Sequence, residues 1–290
     1  MKLLDGKELS KQINLEIKQK IKALKRTNNK KPGLAVVIVG DKKDSLLYVN
    51  MKRKVCKEIG IESKLVHISE NFTTENIVSM IKILNEDSSV NGILVQLPLP
   101  EHINEEAVLT AVSLEKDVDG FHSSNIGNVA MENRTPLFTP CTPLGCIRLL
   151  DEYNIDLLGK NVVVIGKSNI VGLPISLLLM KRNATVTVCH KHTQNLEQIT
   201  KNADILVSAC GQAEMIKKEW VKEGVVILDI GISYITDPKN SEKKKVVGDV
   251  DFDAVSEVAS YITPVPGGVG PMTVSMLMEN TYNSFVNHVK

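Results

Sequence analysis

The stretch Gly166-Lys-Ser-Asn-Ile-Val-Gly172 stands between one apolar run, Asn161 to Ile165, and another, Leu173 to Met180. Strand, glycine turn and helix in that order make a phosphate cradle, because the helix start offers free N–H groups and the positive end of its dipole. The turn departs from Gly-x-Gly-x-x-Gly, with Ser168 where the second glycine would stand. Its context therefore carries the reading as much as its letters do. The next apolar run, Ala184 to Cys189, ends in His190-Lys191-His192 instead of the Asp or Glu that would bind free ribose hydroxyls. A cationic cluster there suits a 2′-phosphate, so the second half of the chain is expected to bind NADP.

The chain has 290 residues, enough for two α/β domains. Its 35 basic and 34 acidic residues nearly cancel, so no global field favours nucleic acid or an anionic membrane. No apolar run reaches the length of a membrane span, and the N-terminus turns charged too early for a signal peptide; the expectation is a cytoplasmic protein. The cysteines Cys56, Cys141, Cys146, Cys189 and Cys210 contain no Cys-x-x-Cys pair, which fits neither a disulfide framework nor a zinc site. They are read as reduced packing residues, and no metal is expected.

Leu9, Ile13, Ile17, Ile21 and Leu24 form a helical stripe, and Leu34 to Val39 reads as a strand buried on both faces. A helix from about Ser45 to Ile59, a strand near Lys64 to Ile68, a helix near Thr74 to Leu84 and a strand at Gly92 to Leu97 continue the alternation. Asn104 to Val112 reads as another helix, Leu114 to Gly120 as a polar loop. Clustered prolines at Arg134 to Pro143 mark a boundary, followed by a helix with Thr142 as N-cap and Pro143 at its first position. Beyond Asn161 a second alternation of strands and helices follows Rossmann order, with a charged loop at Lys239 to Lys245 and a bend-rich loop at Pro264 to Pro271. Met272 to Val289 reads as a final helix. The expected fold is α/β with two α/β domains. Residues 1–140 and the closing helix 272–290 form one; residues 141–271 form a Rossmann-type NAD(P)-binding domain.

In the first half, Tyr48 and Lys52 are four apart on one helix face. Gln96 interrupts an apolar strand at its end, where it would be costly to bury unpaired. All three belong to the carboxyl edge of a parallel sheet, where α/β ligands bind. Asp117 and Asp119 alternate on an extended loop and would point the same way, as a carboxylate pair or as solvated loop residues.

Six motifs in order carry a resemblance across almost the whole chain: Ser45-x-x-Tyr-Val-x-x-Lys-x-Lys54, Gly92-Ile-Leu-Val-Gln-Leu-Pro-Leu-Pro100, Lys116-Asp-Val-Asp-Gly120, Thr139-Pro-Cys-Thr-Pro143, Gly166-x-Ser-x-Ile-Val-Gly-x-Pro174 and Pro264-Val-Pro-Gly-Gly-Val-Gly-Pro-Met-Thr273. The sequence resembles the bifunctional methylenetetrahydrofolate dehydrogenase/methenyltetrahydrofolate cyclohydrolase (FolD) family. The resemblance implies tetrahydrofolate substrates, NADP as cofactor, a cleft between the domains and a homodimer. It also implies Lys52 as the catalytic lysine, Gln96 positioning it, Tyr48 stacking beside the folate and Asp119 holding the pterin. Ser45, Pro266, Gly267 and Gly268 would line the folate site. Gly166, Lys167, Ser168, Gly172, His190, Lys191 and Ile232 would bind the dinucleotide. Lys167 and Lys191 depart from the arginine and serine usual in the family, and lysine lacks the bidentate fork of arginine. A dehydrogenase without cyclohydrolase activity, or a folate- or nucleotide-binding regulator without turnover, stands as the alternative.

Overall fold

A computed structural model describes residues 1–28, 30–237 and 240–289. The chain forms two compact units: Lys11–Cys141 with the residues from Val274 on, and Met1–Ser10 with Thr142–Thr273. It starts with a short strand, β1 (Lys2–Leu3), and a long helix, α1 (Gly6–Asn28). On α1 the sequence stripe is buried at Leu9, Ile13, Ile17 and Ile21.

In the unit built on the first half, β2 (Gly33–Val39) is the middle of a three-stranded parallel sheet and is buried throughout, as its unbroken apolar run requires. It is followed by α2 (Lys43–Ile59), β3 (Glu62–Ile68), α3 (Thr74–Glu86), β4 (Gly92–Val95) and α4 (Glu105–Thr110). The strand order is β3-β2-β4. Thr73 and Asn76 close a reciprocal capping box at the start of α3, which fixes where that helix begins. Ile77, Ile81 and Leu84 of α3 then pack with Ala35, Val37, Ile93 and Val95 of the sheet.

Four expectations need correction here. The strand expected to reach Leu97 ends at Val95, although the Gln96 N–H still donates to Val37 O at 2.8 Å. The segment Leu114 to Gly120 is no solvated loop: a 3-10 turn at Leu114–Lys116 leads into buried Asp117 and Val118. The Lys116 ammonium is itself buried and donates to the carbonyls of Leu84, Asn85 and Asp87, so it closes the C-terminal end of α3. A further helix, α5 (Ser123–Ala130), was not foreseen, since Ser, Asn and Gly give it weak propensity. Finally, α6 spans Cys141–Glu152, so Pro143 lies inside its first turn and Thr142 is not its cap. The Thr142 hydroxyl instead meets that of Thr273 at 3.0 Å.

The other unit carries β5 (Asn161–Ile165), α7 (Gly172–Lys181), β6 (Thr185–Cys189), α8 (Leu196–Thr200), β7 (Ile205–Ser208) and β8 (Val226–Asp229). Next come β9 (Ser233–Asp237), β10 (Asn240–Val247), α9 (Phe252–Ser256), β11 (Tyr261–Ile262) and α10 (Val269–Val289), whose residues from Val274 on belong to the first unit. Its sheet runs β1-β11-β8-β7-β5-β6, with every pairing parallel. Because β6 lies on one side of β5 and β7 on the other, the strand order reverses at β5. That is the doubly wound arrangement, with its ligand crevice at the carboxyl ends of β5 and β7.

Two more corrections belong to this unit. Of the loop expected at Lys239 to Lys245, Lys239 lies outside the described residues and the rest is β10, antiparallel to β9. The lysines there sit on a two-stranded ribbon, where cross-strand backbone bonds hold a sequence that charge alone reads as loop. The final helix begins at Val269 rather than Met272, because a proline is tolerated in a first helical turn and Pro271 stops nothing. Among the described residues no helix is long and apolar enough to cross a membrane. All five cysteines are free, and burial pushes Cys56 and Cys146 up to about 12.

Candidate active site and dinucleotide site

Helix α2 buries Ser45, Val49, Lys52 and Cys56, residues spaced to fall on one face, and carries half-buried Tyr48 one turn before Lys52. The helix follows the carboxyl end of β2, and Gln96 follows the neighbouring β4. The two meet: Lys52 Nζ donates to Gln96 Oε1 at 3.0 Å. The Gln96 amide nitrogen donates to Leu97 O at 2.8 Å, so the amide is orientated with its oxygen toward the lysine. Lys52 is only 9 % exposed, and burial lowers its pKa while the charge of nearby Asp119 partly restores it. Asp119 answers in kind, raised by burial and lowered by Lys52. Each group is thus drawn toward its neutral form by the interior and toward its charged form by the other.

Asp119 is placed by its neighbours. Val118 packs where a Cβ on Gly92 would stand, and Asn280 of α10 donates its amide to Val118 O (2.9 Å) and Thr139 O (3.1 Å). Cys141 Sγ lies 3.3 Å from Val118 O and couples electrostatically to both Asp119 and Lys52. Asp117 does something else, against the expectation that the two carboxylates act alike. It accepts from the N–H groups of Phe121 (3.2 Å) and His122 (2.8 Å) and from Asn125 Nδ2 (2.8 Å), at the start of α5. The 3-10 turn before it and the left-handed Gly120 after it break the extended alternation. Burial pushes Asp117 up to about 6. Cys141 and Asn280 were not singled out from the sequence; only the motif around Cys141 hinted at the first, and nothing local at the second.

At the dinucleotide site, the glycine turn leaves β5 and enters α7. Gly166 has φ +120, and a Cβ there would meet Ala209 O; a Cβ on Gly172 would meet Gly166 O. Both positions therefore exclude any side chain. The Ser168 hydroxyl accepts from the N–H of Val171 (3.2 Å), which tightens the turn. Register pairs Ile165 with Cys189, so Gly166 and His190 are neighbours, and Gly166 N donates to Cys189 O at 2.9 Å. His190 is half-buried, its ring 6.1 Å from that of His192, while Lys167 and Lys191 are exposed. The anion-binding groups read from the sequence thus gather at adjoining strand ends. Ile232, 42 % exposed, stands beyond β8 at the same edge. Pro266, Gly267 and Gly268 are held in the same unit by Lys7 N donating to Gly267 O at 2.8 Å.

Gly172→Ala is expected to weaken dinucleotide binding by at least about tenfold and to cost about 1–3 kcal/mol of stability, the usual penalty of an overpacked site. A fluorescence titration and a thermal melt check this; parental values in both would mean the turn can open without loss.

The family described as "Tetrahydrofolate dehydrogenase/cyclohydrolase, catalytic domain" matches residues 4–119, and "Tetrahydrofolate dehydrogenase/cyclohydrolase, NAD(P)-binding domain" matches residues 140–289. The Arabidopsis thaliana bifunctional protein FolD 2 is 53% identical over 280 residues, covering 97% of this chain and 94% of that protein. The crystal structure of a bifunctional FolD methylenetetrahydrofolate dehydrogenase/cyclohydrolase from Campylobacter jejuni superposes with a TM-score of 0.93 at 47% identity, covering 99% of each chain. The Trypanosoma brucei enzyme, solved with NADP cofactor and an inhibitor, gives 0.95 at 39% identity, covering 99% of this chain and 97% of that one. On these matches, the chain belongs to the tetrahydrofolate dehydrogenase/cyclohydrolase family.

Proposed function

We propose that this protein oxidises 5,10-methylenetetrahydrofolate to 5,10-methenyltetrahydrofolate with NADP and hydrolyses the product to 10-formyltetrahydrofolate, a step pair of one-carbon metabolism. The observation that carries the reading is the buried Lys52 paired with Gln96, in a chain of this family. NADP, when bound, would supply an acceptor for the hydride that leaves the one-carbon bridge. Gly166, Ser168 and Gly172 would receive its phosphates, Lys167, His190 and Lys191 its 2′-phosphate, and Ile232 its nicotinamide end. The glycine turn fits, since its two glycines let backbone carbonyls pack where a side chain would stand and so hold the turn close against the start of α7.

The protein's own residues act on the folate. Asp119 accepts hydrogen bonds from the amino-pyrimidine edge of the pterin, and Tyr48 stacks against the ring system. Ser45, Pro266, Gly267 and Gly268 line the rest of the folate site. Oxidation leaves a cationic methenyl group, for which geometry matters more than acid catalysis. Water then adds to the methenyl carbon. Lys52, whose pKa burial lowers, takes one proton from the adding water and passes it to N5 as the carbon–N5 bond breaks; the remaining hydroxyl proton leaves to solvent, and the formyl group stays on N10. Gln96 holds the amine in line for both transfers. The protein is further proposed to work as a homodimer, which an elution mass of twice one chain tests.

Purified protein given methylenetetrahydrofolate should reduce NADP and show a transient methenyl absorbance. Absence of reduced dinucleotide with either NADP or NAD would remove the reading. Lys191→Ala is expected to raise KM for NADP about tenfold, the worth of one charge-assisted contact, and to leave KM for NAD unaltered. Equal use of both dinucleotides by the parent, or an unmoved NADP constant in both Lys191→Ala and Lys167→Ala, would make these lysines ordinary surface charges.

A further inference from the structure

Two aspartates at the carboxyl edge of the six-stranded sheet take no part in the chemistry above. Asp229 ends β8 and Asp249 lies just beyond β10, and they are 4 % and 0 % exposed. They interlock. The Asp229 carboxylate accepts from the N–H groups of Gly231 (3.0 Å), Asp249 (3.0 Å) and Val250 (2.9 Å). The Asp249 carboxylate accepts from the Ser208 hydroxyl (2.9 Å) and from the N–H groups of Cys210 (2.8 Å), Gly211 (3.3 Å) and Gln212 (2.9 Å). Each also lies where a side chain would otherwise stand, Asp249 against Gly231 and Asp229 against Gly248.

The loop gathered by Asp249 leaves β7, the strand that diverges from β6 at β5. Its Ala209 carbonyl presses on the glycine turn at Gly166. The turn gathered by Asp229 leads directly to Ile232. Both loops therefore border the crevice in which a doubly wound sheet binds its ligand. A buried carboxylate contributes little to stability compared with an apolar residue of the same size, because its hydration is lost. Its particular effect is geometric, since one charge makes several N–H groups converge on a point.

We propose that Asp249 is a positioning residue for the dinucleotide: with Asp229 it fixes the loops 208–212 and 230–232 in the shape that receives the cofactor beside the glycine turn. This rests on the reading of the chain as an NADP-linked dehydrogenase. Asp249→Asn keeps the shape but turns one acceptor oxygen into an NH2 group facing N–H donors. The Kd for NADP and the dehydrogenase KM for NADP should rise about tenfold. Hydrolysis of methenyltetrahydrofolate consumes no dinucleotide and should stay within about twofold of the parent. A role in general stability would lower both activities together, and that result overturns the proposal. Ser208→Ala removes one donor and leaves the carboxylate its others, so it should raise the Kd for NADP about threefold and decides the matter if Asp249→Asn does not fold. Parental NADP binding in every folded variant also overturns it. Failure of the unmodified protein to bind NADP would instead withdraw the dehydrogenase reading beneath it.

Discussion

Lys52→Met should hydrolyse methenyltetrahydrofolate at least about a hundredfold more slowly than the parent, the lower range for loss of a general acid–base group. Methionine matches the length of the lysine stem and fills the same buried space, so the fold and NADP binding should survive. The parent's pH profile gives a second check. Burial lowers the Lys52 pKa, so the hydrolysis rate should climb as pH rises and the amine loses its proton, then level above its folded pKa. A Lys52→Met variant with the parental hydrolysis rate would take the lysine out of the reaction. A parent whose hydrolysis rate falls across the same pH range would show that the charged ammonium is the working form.

Asp119→Ala should weaken folate binding about a hundredfold or more. A carboxylate receiving two parallel hydrogen bonds makes charge-assisted contacts worth about 1.5–3 kcal/mol each, so losing both is a change of two or more powers of ten. Both activities should fall with it, since both use the same bound folate. Loss of Asp119 also removes the charge that opposes the burial of Lys52, so the lysine pKa should drop further and any residual hydrolysis should reach its plateau at lower pH. Unchanged folate affinity in a direct titration would leave Asp119 as a partner of Lys52 and Cys141 alone.

The elements legible in the sequence were those whose signal is local. β2 and β5 are unbroken apolar runs, and both form where those runs stand, because a strand covered on both faces has no polar side to show. The meeting of Lys52 and Gln96 was readable for a related reason: topology alone puts the end of β4 beside the start of α2. The unread parts depend on partners far along the chain. Nothing near Lys2 and Leu3 says strand; they become one only by pairing with Tyr261 and Ile262. The lysines of β10 read as solvated loop, and the ribbon with β9 supplies what propensity lacks. Asp117 looked like a twin of Asp119 until Asn125 and the start of α5 claimed it.

The amide of Asn280 has a consequence in time. Synthesis proceeds from the first residue to the last, so Lys52, Gln96 and Asp119 leave the ribosome long before the helix that completes their surroundings. Until α10 emerges, the carbonyls of Val118 and Thr139 wait for Asn280, and those of Asn91 and Glu115 wait for the hydroxyl of Ser284. The unit of Lys11–Cys141 is started first and finished last, and a nascent polypeptide halted at Thr273 would carry every strand of both parallel sheets with the peptide around Asp119 still unanchored.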